Sequence, residues 1–91
     1  MIKSFRHKGL ADFFLNNIGK GVRQDLHKRC ASRLAALDNA ETLDDLRFPG
    51  WDLHPLHTKP SRQSFKVNGP WRITFEWRDG DAHAVDLEQY H

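Results

Sequence analysis

The sequence of 91 residues has a single cysteine, Cys30, and no long apolar run. One cysteine excludes an internal disulfide, and its place on a predicted helix indicates a small buried thiol rather than a nucleophile. No stretch is apolar enough to span a membrane and no signal peptide opens the chain. The sequence therefore predicts a cytoplasmic protein without a membrane partner.

The common signatures of cofactor and metal sites are also missing. The chain has no P-loop, no GxGxxG, no CxxC and no HExxH pattern. His54, His57, His83 and His91 have no thiolate or carboxylate at an accompanying ligand spacing. The sequence therefore predicts neither a cofactor nor a bound metal.

The composition fits one small basic domain covering residues 1–91. A chain of this length buries only about 60–65% of its unfolded surface, so it can build one small core. The 38% hydrophobic content, with three Trp and six Phe, is sufficient for that core. The net charge of +2 and pI of about 8.9 favour an anionic partner only weakly.

The last third of the chain alternates apolar and polar residues and has two turns that contain glycine. From Arg62 onward this pattern predicts a three-strand antiparallel meander. One face carries Trp71, Ile73, Phe75 and Trp77. The other face carries Arg62, Lys66, Arg72, Thr74, Glu76 and His83.

The register of the meander follows from gathering the apolar residues on one face. A two-residue loop, Asn68-Gly69, would mix the faces, so a three-residue loop over residues 68–70 is favoured. It pairs Val67 with Trp71, Phe65 with Ile73 and Lys66 with Arg72. The Asp79-Gly80 turn pairs Trp77 with Ala82, Phe75 with Ala84 and Glu76 with His83, and it places Arg72 opposite Leu87.

The first two thirds of the chain predict a helical layer. Residues 1–6 suit a short strand, residues 7–17 a first helix, and residues from 22 or 23 to 38 a second helix. Thr42 and Asp45 have the spacing of a capping box around a helical turn at 42–46. Residues 51–56 form a predicted strand, followed by a polar loop at 57–61. The predicted class is α+β, in which a two-helix pair packs on an antiparallel sheet.

The polar face has residues suited to metal-free cleavage of RNA. Such cleavage needs groups that move protons, which His54, Tyr90 and His91 can do, and cations that hold a phosphate. The candidate cations are Lys59, Arg62, Lys66 and Arg72. Structural roles are also open for these residues: a rim histidine, a pair of Arg72 with Glu88 or with the terminal carboxylate, or a docked tail. The basic second helix is likewise either a solvated face or a contact surface for acid or RNA.

Five segments together resemble one known family. They are residues 1–10, the Leu-His-Pro-Leu at 53–56, the Trp-Arg-Ile-Thr-Phe at 71–75, the Asp-Gly-Asp-Ala at 79–82 and the Glu-Gln-Tyr-His at 88–91. In order and over essentially the whole chain, they are similar to the HigB toxins, the killer-protein branch of the RelE/ParE superfamily.

The resemblance implies a RelE-like fold and a toxin that cuts mRNA in the A site of the small ribosomal subunit by attack of the 2′-hydroxyl. It also implies a HigA-type antitoxin with a helix-turn-helix domain, which brings the toxin to operator DNA. The family's catalytic roles fall here on His54, Tyr90 and His91, and its phosphate contact on Arg72.

Two departures from the family pattern affect these roles. Gln89 stands where the family usually has Asp, so a carboxylate role would move to Glu88 or Asp86. The family's Lys-Gly is here His57-Thr58, so the lysine would be replaced by Lys59 or by His57 itself. Two other functions compete with the nuclease: a non-enzymatic ParE-like toxin that poisons DNA gyrase, and an inactive member that serves only as antitoxin partner and co-repressor.

Overall fold

The structure, a computed structural model, describes residues 1–90. Two α-helices, α1 (Lys8–Asn16) and α2 (His27–Asn39), precede four strands. The strands are β1 (His54–Leu56), β2 (Arg62–Asn68), β3 (Trp71–Arg78) and β4 (Asp81–Gln89). They form one antiparallel sheet in the order β1-β2-β3-β4. The predicted α+β class and the C-terminal meander are confirmed.

Helix α1 begins and ends within one residue of the prediction, but α2 begins at His27 rather than at residue 22 or 23, because Gln24–Leu26 form a 3₁₀ turn. His7 caps α1, because its Nδ1 accepts the Leu10 amide at 2.9 Å, and Asn17 ends it in the left-handed region. The 3₁₀ turn Leu43–Leu46 has the predicted capping box, in which the Asp45 carboxylate accepts the Thr42 amide at 3.0 Å. Within residues 1–90, neither helix is long and apolar enough to cross a membrane.

The core lies between α2 and the sheet. The stripe at Leu26, Cys30, Leu34 and Leu37, on α2 and the 3₁₀ turn before it, is buried, as its spacing predicts. Burial raises the pKa of the Cys30 thiol to about 11, which makes it unreactive while the protein is folded. The sheet contributes Phe65, Val67, Ile73, Phe75, Ala82, Val85 and Leu87, and the remaining core residues are Leu10, Val22, Ala40 and Leu46.

Two arginines of α2 hold the helix against β2. Arg29 Nη1 donates to the Val67 carbonyl at 3.3 Å and to the Asn68 side chain at 2.9 Å. Arg33 Nε donates to the Lys66 carbonyl at 2.7 Å, and its guanidinium lies 4.7 Å from the Trp51 ring centroid. These two residues of the basic helix therefore have partners within the fold.

The N-terminal segment differs from the strand predicted at residues 1–6. It makes only two isolated parallel bridges with β4, Ile2 to Ala82 and Phe5 to Val85. A regular ladder cannot form because β4 bulges between these two points, where Ala84 has φ of 50°. Ser4 fills the interruption by accepting the Ala84 amide on its hydroxyl at 2.8 Å.

The turn between β2 and β3 also differs in detail. Phe65 pairs with Ile73, and Lys66 with Arg72, as predicted. Trp71 pairs with Asn68 instead of Val67, because Val67 sits in a bulge and the turn has two residues. Arg29 stabilises the bulge by binding both Val67 and Asn68.

The register between β3 and β4 is correct near the turn and wrong beyond it. Trp77 pairs with Ala82, and Glu76 with His83, as predicted. The bulge then sets two β4 residues, one of them Ala84, against Phe75, so the predicted pair of Phe75 with Ala84 is wrong. Beyond the bulge, Arg72 lies opposite Glu88 rather than Leu87. The extra residue keeps Val85 and Leu87 in the core.

The strand predicted at residues 51–56 is shorter than expected. Only His54–Leu56 form β1, because Asp52 adopts φ of 52° and breaks the extended backbone. Trp51 still reaches β2, where its carbonyl accepts the Lys66 amide at 2.6 Å. Its ring packs on Phe65, with centroids 5.1 Å apart.

Candidate functional site

The sheet face turned away from the helices is lined by polar side chains. Paired residues of adjacent strands project from the same face, so the register identifies them. One row runs through His54, Ser64, Thr74 and Asp86, and the next through Lys66, Arg72 and Glu88. These rows bring Arg72, Lys66 and the C-terminal tail to the same end of the sheet.

Arg72 is the centre of the first polar cluster, which we call the Arg72 cluster: Asp52, His54, Ser64 and Arg72. Arg72 Nε donates to the Ser64 hydroxyl at 2.5 Å. Its Nη2 donates to the Asp52 carbonyl at 2.6 Å, and its Nη1 lies 3.4 Å from the Asp52 carboxylate. Only 12% of the Arg72 side chain is exposed, so the guanidinium is held in one orientation.

His54 is oriented by the same backbone carbonyl. Its Nδ1 lies 3.0 Å from the Asp52 carbonyl and 3.3 Å from Arg72 Nη2. A carbonyl oxygen only accepts, so the shorter of the two contacts favours a proton on Nδ1, and Arg72 Nη2 then lies beside the ring without donating to it. In the neutral ring, Nε2 then carries the free lone pair. This tautomer would make the half-exposed His54 ring a proton acceptor.

Arg62 is the centre of a second polar cluster, which we call the Arg62 cluster: Arg62, Thr74, Glu76 and Glu88. Arg62 is buried, and its Nη2 donates to the Thr74 hydroxyl at 3.0 Å and to the Ala84 carbonyl at 2.7 Å. Its Nη1 lies 3.5 Å from Glu76. The Thr74 hydroxyl in turn donates to Glu88 at 2.5 Å.

Burial of this second cluster changes the pKa of Arg62, but its guanidinium stays positively charged. Desolvation lowers the pKa of the Arg62 guanidinium from its usual value, and neighbouring Arg6 acts in the same direction. Glu88, Asp86 and Glu76 oppose that shift. Within residues 1–90, Arg62 Nε and Nη1 have no hydrogen-bond acceptor, so the carboxylates hold Arg62 mainly by charge.

Tyr90 is held at the edge of this face. Its amide donates to the Pro70 carbonyl at 2.8 Å, which docks the tail on the β2–β3 turn. Its hydroxyl lies 3.4 Å from Glu88. Desolvation, together with the negative charge of Glu88, raises the pKa of the Tyr90 phenol. Tyr90 is therefore a proton donor, not an anion, at neutral pH.

Those predicted site residues that lie within residues 1–90 fall into three groups. His54, Lys66, Arg72 and Tyr90 share one face, and Lys66 is exposed beside Arg72. His57 and Lys59 lie exposed on the loop that follows β1, at the opposite end of that strand from Asp52. Arg62 is buried beneath the face. His91 lies outside the described residues.

Three residues that touch these side chains are absent from the site predicted by sequence: Asp52, Ser64 and Thr74. Glu88 enters that prediction only as a possible replacement for the family's Asp or as a partner of Arg72. The alternation places Ser64 and Thr74 on the polar face, but gives no reason to select them over other polar residues. Glu88 depends on the bulge at Ala84. Asp52 has no sequence signal, because its role comes from a left-handed backbone.

A separate depression of about 640 Å³ lies at the loop between α1 and α2. It is lined by residues 19–24 and His27, and it contains no member of either polar cluster. His27 Nε2 donates to the Gly19 and Val22 carbonyls at 3.1 and 2.8 Å, which shapes this loop. Among residues 1–90, no three His, Cys, Asp or Glu side chains are grouped to hold a metal ion.

Comparison with known proteins adds two findings. A family described as the RelE-like toxin of the type II toxin–antitoxin system HigB matches residues 3–91. The endoribonuclease HigB of Proteus vulgaris is 40% identical over an alignment of 94 residues that covers all of both chains. Both similarities extend over the two polar clusters as well as the fold.

Proposed function

This chain belongs to the RelE-like HigB toxins of type II toxin–antitoxin systems, and on that premise we propose that it is an endoribonuclease that cuts mRNA in the ribosomal A site. The observation that carries the proposal is the pairing of His54 with Arg72. Arg72 Nη2 and His54 Nδ1 lie 3.3 Å apart on an open polar face. His54 is therefore placed to take a proton from the RNA while Arg72 binds the phosphate.

In the proposed mechanism, His54 is the general base. Its Nε2 lone pair takes the proton of the ribose 2′-hydroxyl, and the oxygen attacks the adjacent phosphorus. The bond to the 5′-oxygen of the next nucleotide breaks, leaving a 2′,3′-cyclic phosphate. The Asp52 carbonyl, bound to Nδ1 at 3.0 Å, keeps the ring in the required tautomer.

Arg72 stabilises the charge that develops on the phosphate. The Ser64 hydroxyl and the Asp52 carbonyl orient the guanidinium, so the guanidinium itself does not need to turn when the substrate binds. Exposed Lys66 beside it, and His57 and Lys59 on the following loop, are proposed to bind neighbouring phosphates. Arg62 is proposed to affect the RNA indirectly, because its guanidinium is buried against Thr74 and Glu76.

Tyr90 and His91 are proposed to supply the proton for the leaving 5′-oxygen. The phenol of Tyr90 keeps its proton at neutral pH and can donate it, although its raised pKa makes it a weaker acid than an ordinary tyrosine. The role of His91 rests on the family resemblance. Gln89 pairs with Trp71 and so projects from the other face, whereas Glu88 pairs with Arg72. Glu88 is therefore the carboxylate that we propose in place of the family's Asp.

As a toxin of a type II system, the chain has an antitoxin partner. We propose a HigA-type antitoxin with a helix-turn-helix domain, which would neutralise the toxin in the cytoplasm and carry it to operator DNA. The small ribosomal subunit and its mRNA are the proposed targets once the antitoxin is lost.

The test is to map new mRNA 5′ ends after brief induction of this chain without antitoxin. We expect cuts confined to translated regions at a fixed codon position, with 2′,3′-cyclic phosphate on the upstream fragments. Replacing His54 and His91 together by alanine should remove them. Arrested growth with intact messages would instead indicate a binding toxin such as one that poisons gyrase. Normal growth with intact messages would indicate an inactive family member.

A further inference from the structure

Both hydrogen-bonding edges of the Arg72 guanidinium are occupied in this structure. Ser64 takes the edge formed by Nε and Nη2, through its hydroxyl at 2.5 Å and its carbonyl at 3.4 Å. Asp52 takes the edge formed by Nη1 and Nη2, through its carboxylate at 3.4 Å and its carbonyl at 2.6 Å. A phosphate that binds Arg72 therefore has to take over a donor that already has a partner, and Nη1 is the donor that faces only the Asp52 carboxylate.

The Asp52 carboxylate is the contact that can leave most readily. The Ser64 side chain is buried within β2, whereas 67% of the Asp52 side chain is exposed. The carboxylate contact, at 3.4 Å, is one of the two longest contacts to the guanidinium and the only anionic one within the Arg72 cluster. It therefore has the charge and position of a substitute for phosphate.

We propose that the Asp52 carboxylate binds, in the free protein, the Nη1 donor of Arg72 that an RNA phosphate takes, and that the phosphate must displace it to bind. This inference rests on the proposed role of Arg72 in phosphate binding. Asp52 is then a positioning residue that holds Arg72 in place before the substrate arrives. Its presence weakens substrate binding, because the contact that the phosphate gains with Arg72 replaces the contact that Asp52 already makes.

Displacement leaves the carboxylate close to His54. The Asp52 carboxylate is 3.7 Å from His54 Nδ1 already, and the backbone carbonyl contact keeps the residue in place. When His54 takes a proton, the imidazolium gains a nearby negative charge that is no longer paired with Arg72. The same side chain is thus expected to oppose binding and to favour the chemical step.

The variant that separates these effects is Asp52→Asn. Asparagine tolerates the left-handed backbone, here φ of 52°, and keeps the carbonyl contacts while removing the charge. Asp44→Asn is the matched control, because Asp44 is also an exposed acid in an ion pair, with Arg47 at 2.8 Å. Both variants change the net charge equally.

The first measurement is a titration of the isolated protein with inorganic phosphate, followed through the Arg72 Nε–H signal in NMR spectra. We expect Asp52→Asn to bind phosphate about two- to five-fold more tightly than wild type, the range of an exposed ion pair. Asp44→Asn should match the wild type. Equal affinity in the two variants, or weaker binding by Asp52→Asn, would overturn the inference.

The second measurement is single-turnover cleavage of mRNA on programmed ribosomes over a range of toxin concentrations. Asp52→Asn should lower both the half-saturating concentration and the maximal rate, each by about two- to five-fold. A purely structural role would raise the half-saturating concentration and would count against the proposal. If wild type cleaves nothing, the proposed function fails, yet the phosphate titration still decides whether Asp52 competes for Arg72.

Discussion

The polar face of the sheet has two arginines in opposite situations. Arg72 binds an exposed aspartate at the edge of the sheet, next to a half-exposed histidine. Arg62 is buried, and it binds the carbonyl of the β4 bulge as well as Thr74 and Glu76. The first arginine can exchange its partner for a substrate, and the second cannot do so without opening the sheet.

The difference indicates a division of labour between the clusters. By binding the bulge carbonyl of Ala84, Arg62 stabilises the extra residue that sets the register of the rest of β4. That register places Glu88 opposite Arg72 and leads the chain to Tyr90. We therefore expect the Arg72 cluster to govern activity and the Arg62 cluster to govern stability, and the two to meet at Glu88.

The largest effect is expected from Arg72→Ala. Loss of the proposed phosphate contact should reduce toxicity and mRNA cleavage about 10²–10³-fold, because the cation stabilises charge formed in the transition state. The domain should remain folded, since the Arg72 side chain lies on the polar face and does not belong to the hydrophobic core. Growth after induction without antitoxin, compared at equal protein levels, measures the effect.

The control for this variant is Arg78→Ala, which removes an exposed arginine at the other end of β3. It should retain growth arrest. Cys30, the one cysteine of the chain, serves as a check of folding, because its buried thiol should resist labelling until the protein opens. Normal growth arrest by folded Arg72→Ala would refute the assignment of this site.

Arg62→Met should produce the reverse pattern. Removing the buried charge leaves Glu76 paired only with exposed Arg78, at 3.6 Å, and takes a positive neighbour from Glu88, which should lower the free energy of unfolding by about 3 kcal/mol. Urea denaturation at neutral pH measures it. Adding Glu76→Gln to this variant should recover part of the loss, because the carboxylate that lost its buried partner is then removed. If Arg62→Met is as stable as wild type, the Arg62 cluster does not hold the fold.

Thr74→Val should have a smaller effect of the same kind. The hydroxyl joins Arg62 to Glu88, and its loss leaves both groups one hydrogen bond short. We expect the unfolding free energy to fall by about 1–2 kcal/mol. Thr74→Ser keeps the hydroxyl and should stay closer to wild type. Equal losses in the two variants would assign the effect to packing of the methyl group.

These two clusters also show how much of the structure can be predicted from the sequence. Alternation along residues 62–78 places Arg72 and Lys66 side by side. Because strand side chains alternate between the two faces, the residues that face the core determine which residues lie on the polar face. Alternation does not reveal the bulge at Ala84, since the residue has no glycine signal for its positive φ. The alternation therefore predicts the wrong partner for Arg72 on β4, Leu87 instead of Glu88.

Burial and backbone conformation explain the remaining gap in the predicted site. Arg62 and Arg72 have the same side chain and the same face, and only packing by Ala84, Thr74 and Glu76 distinguishes them. Asp52 contacts Arg72 because its backbone is left-handed, and the surrounding sequence does not predict that conformation. His57 and Lys59 stay predictions as RNA contacts.

The smallest effect is expected on the pKa of Tyr90, which lies beside Glu88, where the two clusters meet. Tyr90 is the only tyrosine, so the absorbance change of tyrosinate reports on it alone. Its pKa should lie above the ordinary value of about 10, so any stability it contributes is present below that pH and lost as the phenol ionises. Glu88→Gln should lower the pKa, because a negative neighbour is removed. An unchanged titration would show that Glu88 does not act on Tyr90.

The division of labour between the two arginines is tested most directly by single-turnover mRNA cleavage on programmed ribosomes. Wild type, Arg72→Ala and Arg62→Met are compared, with urea unfolding of the same samples. We expect Arg72→Ala to lose cleavage while its unfolding free energy stays near that of wild type. We expect Arg62→Met to lose stability while its folded fraction still cleaves. The opposite assignment, with cleavage surviving in Arg72→Ala and lost in folded Arg62→Met, would contradict this division.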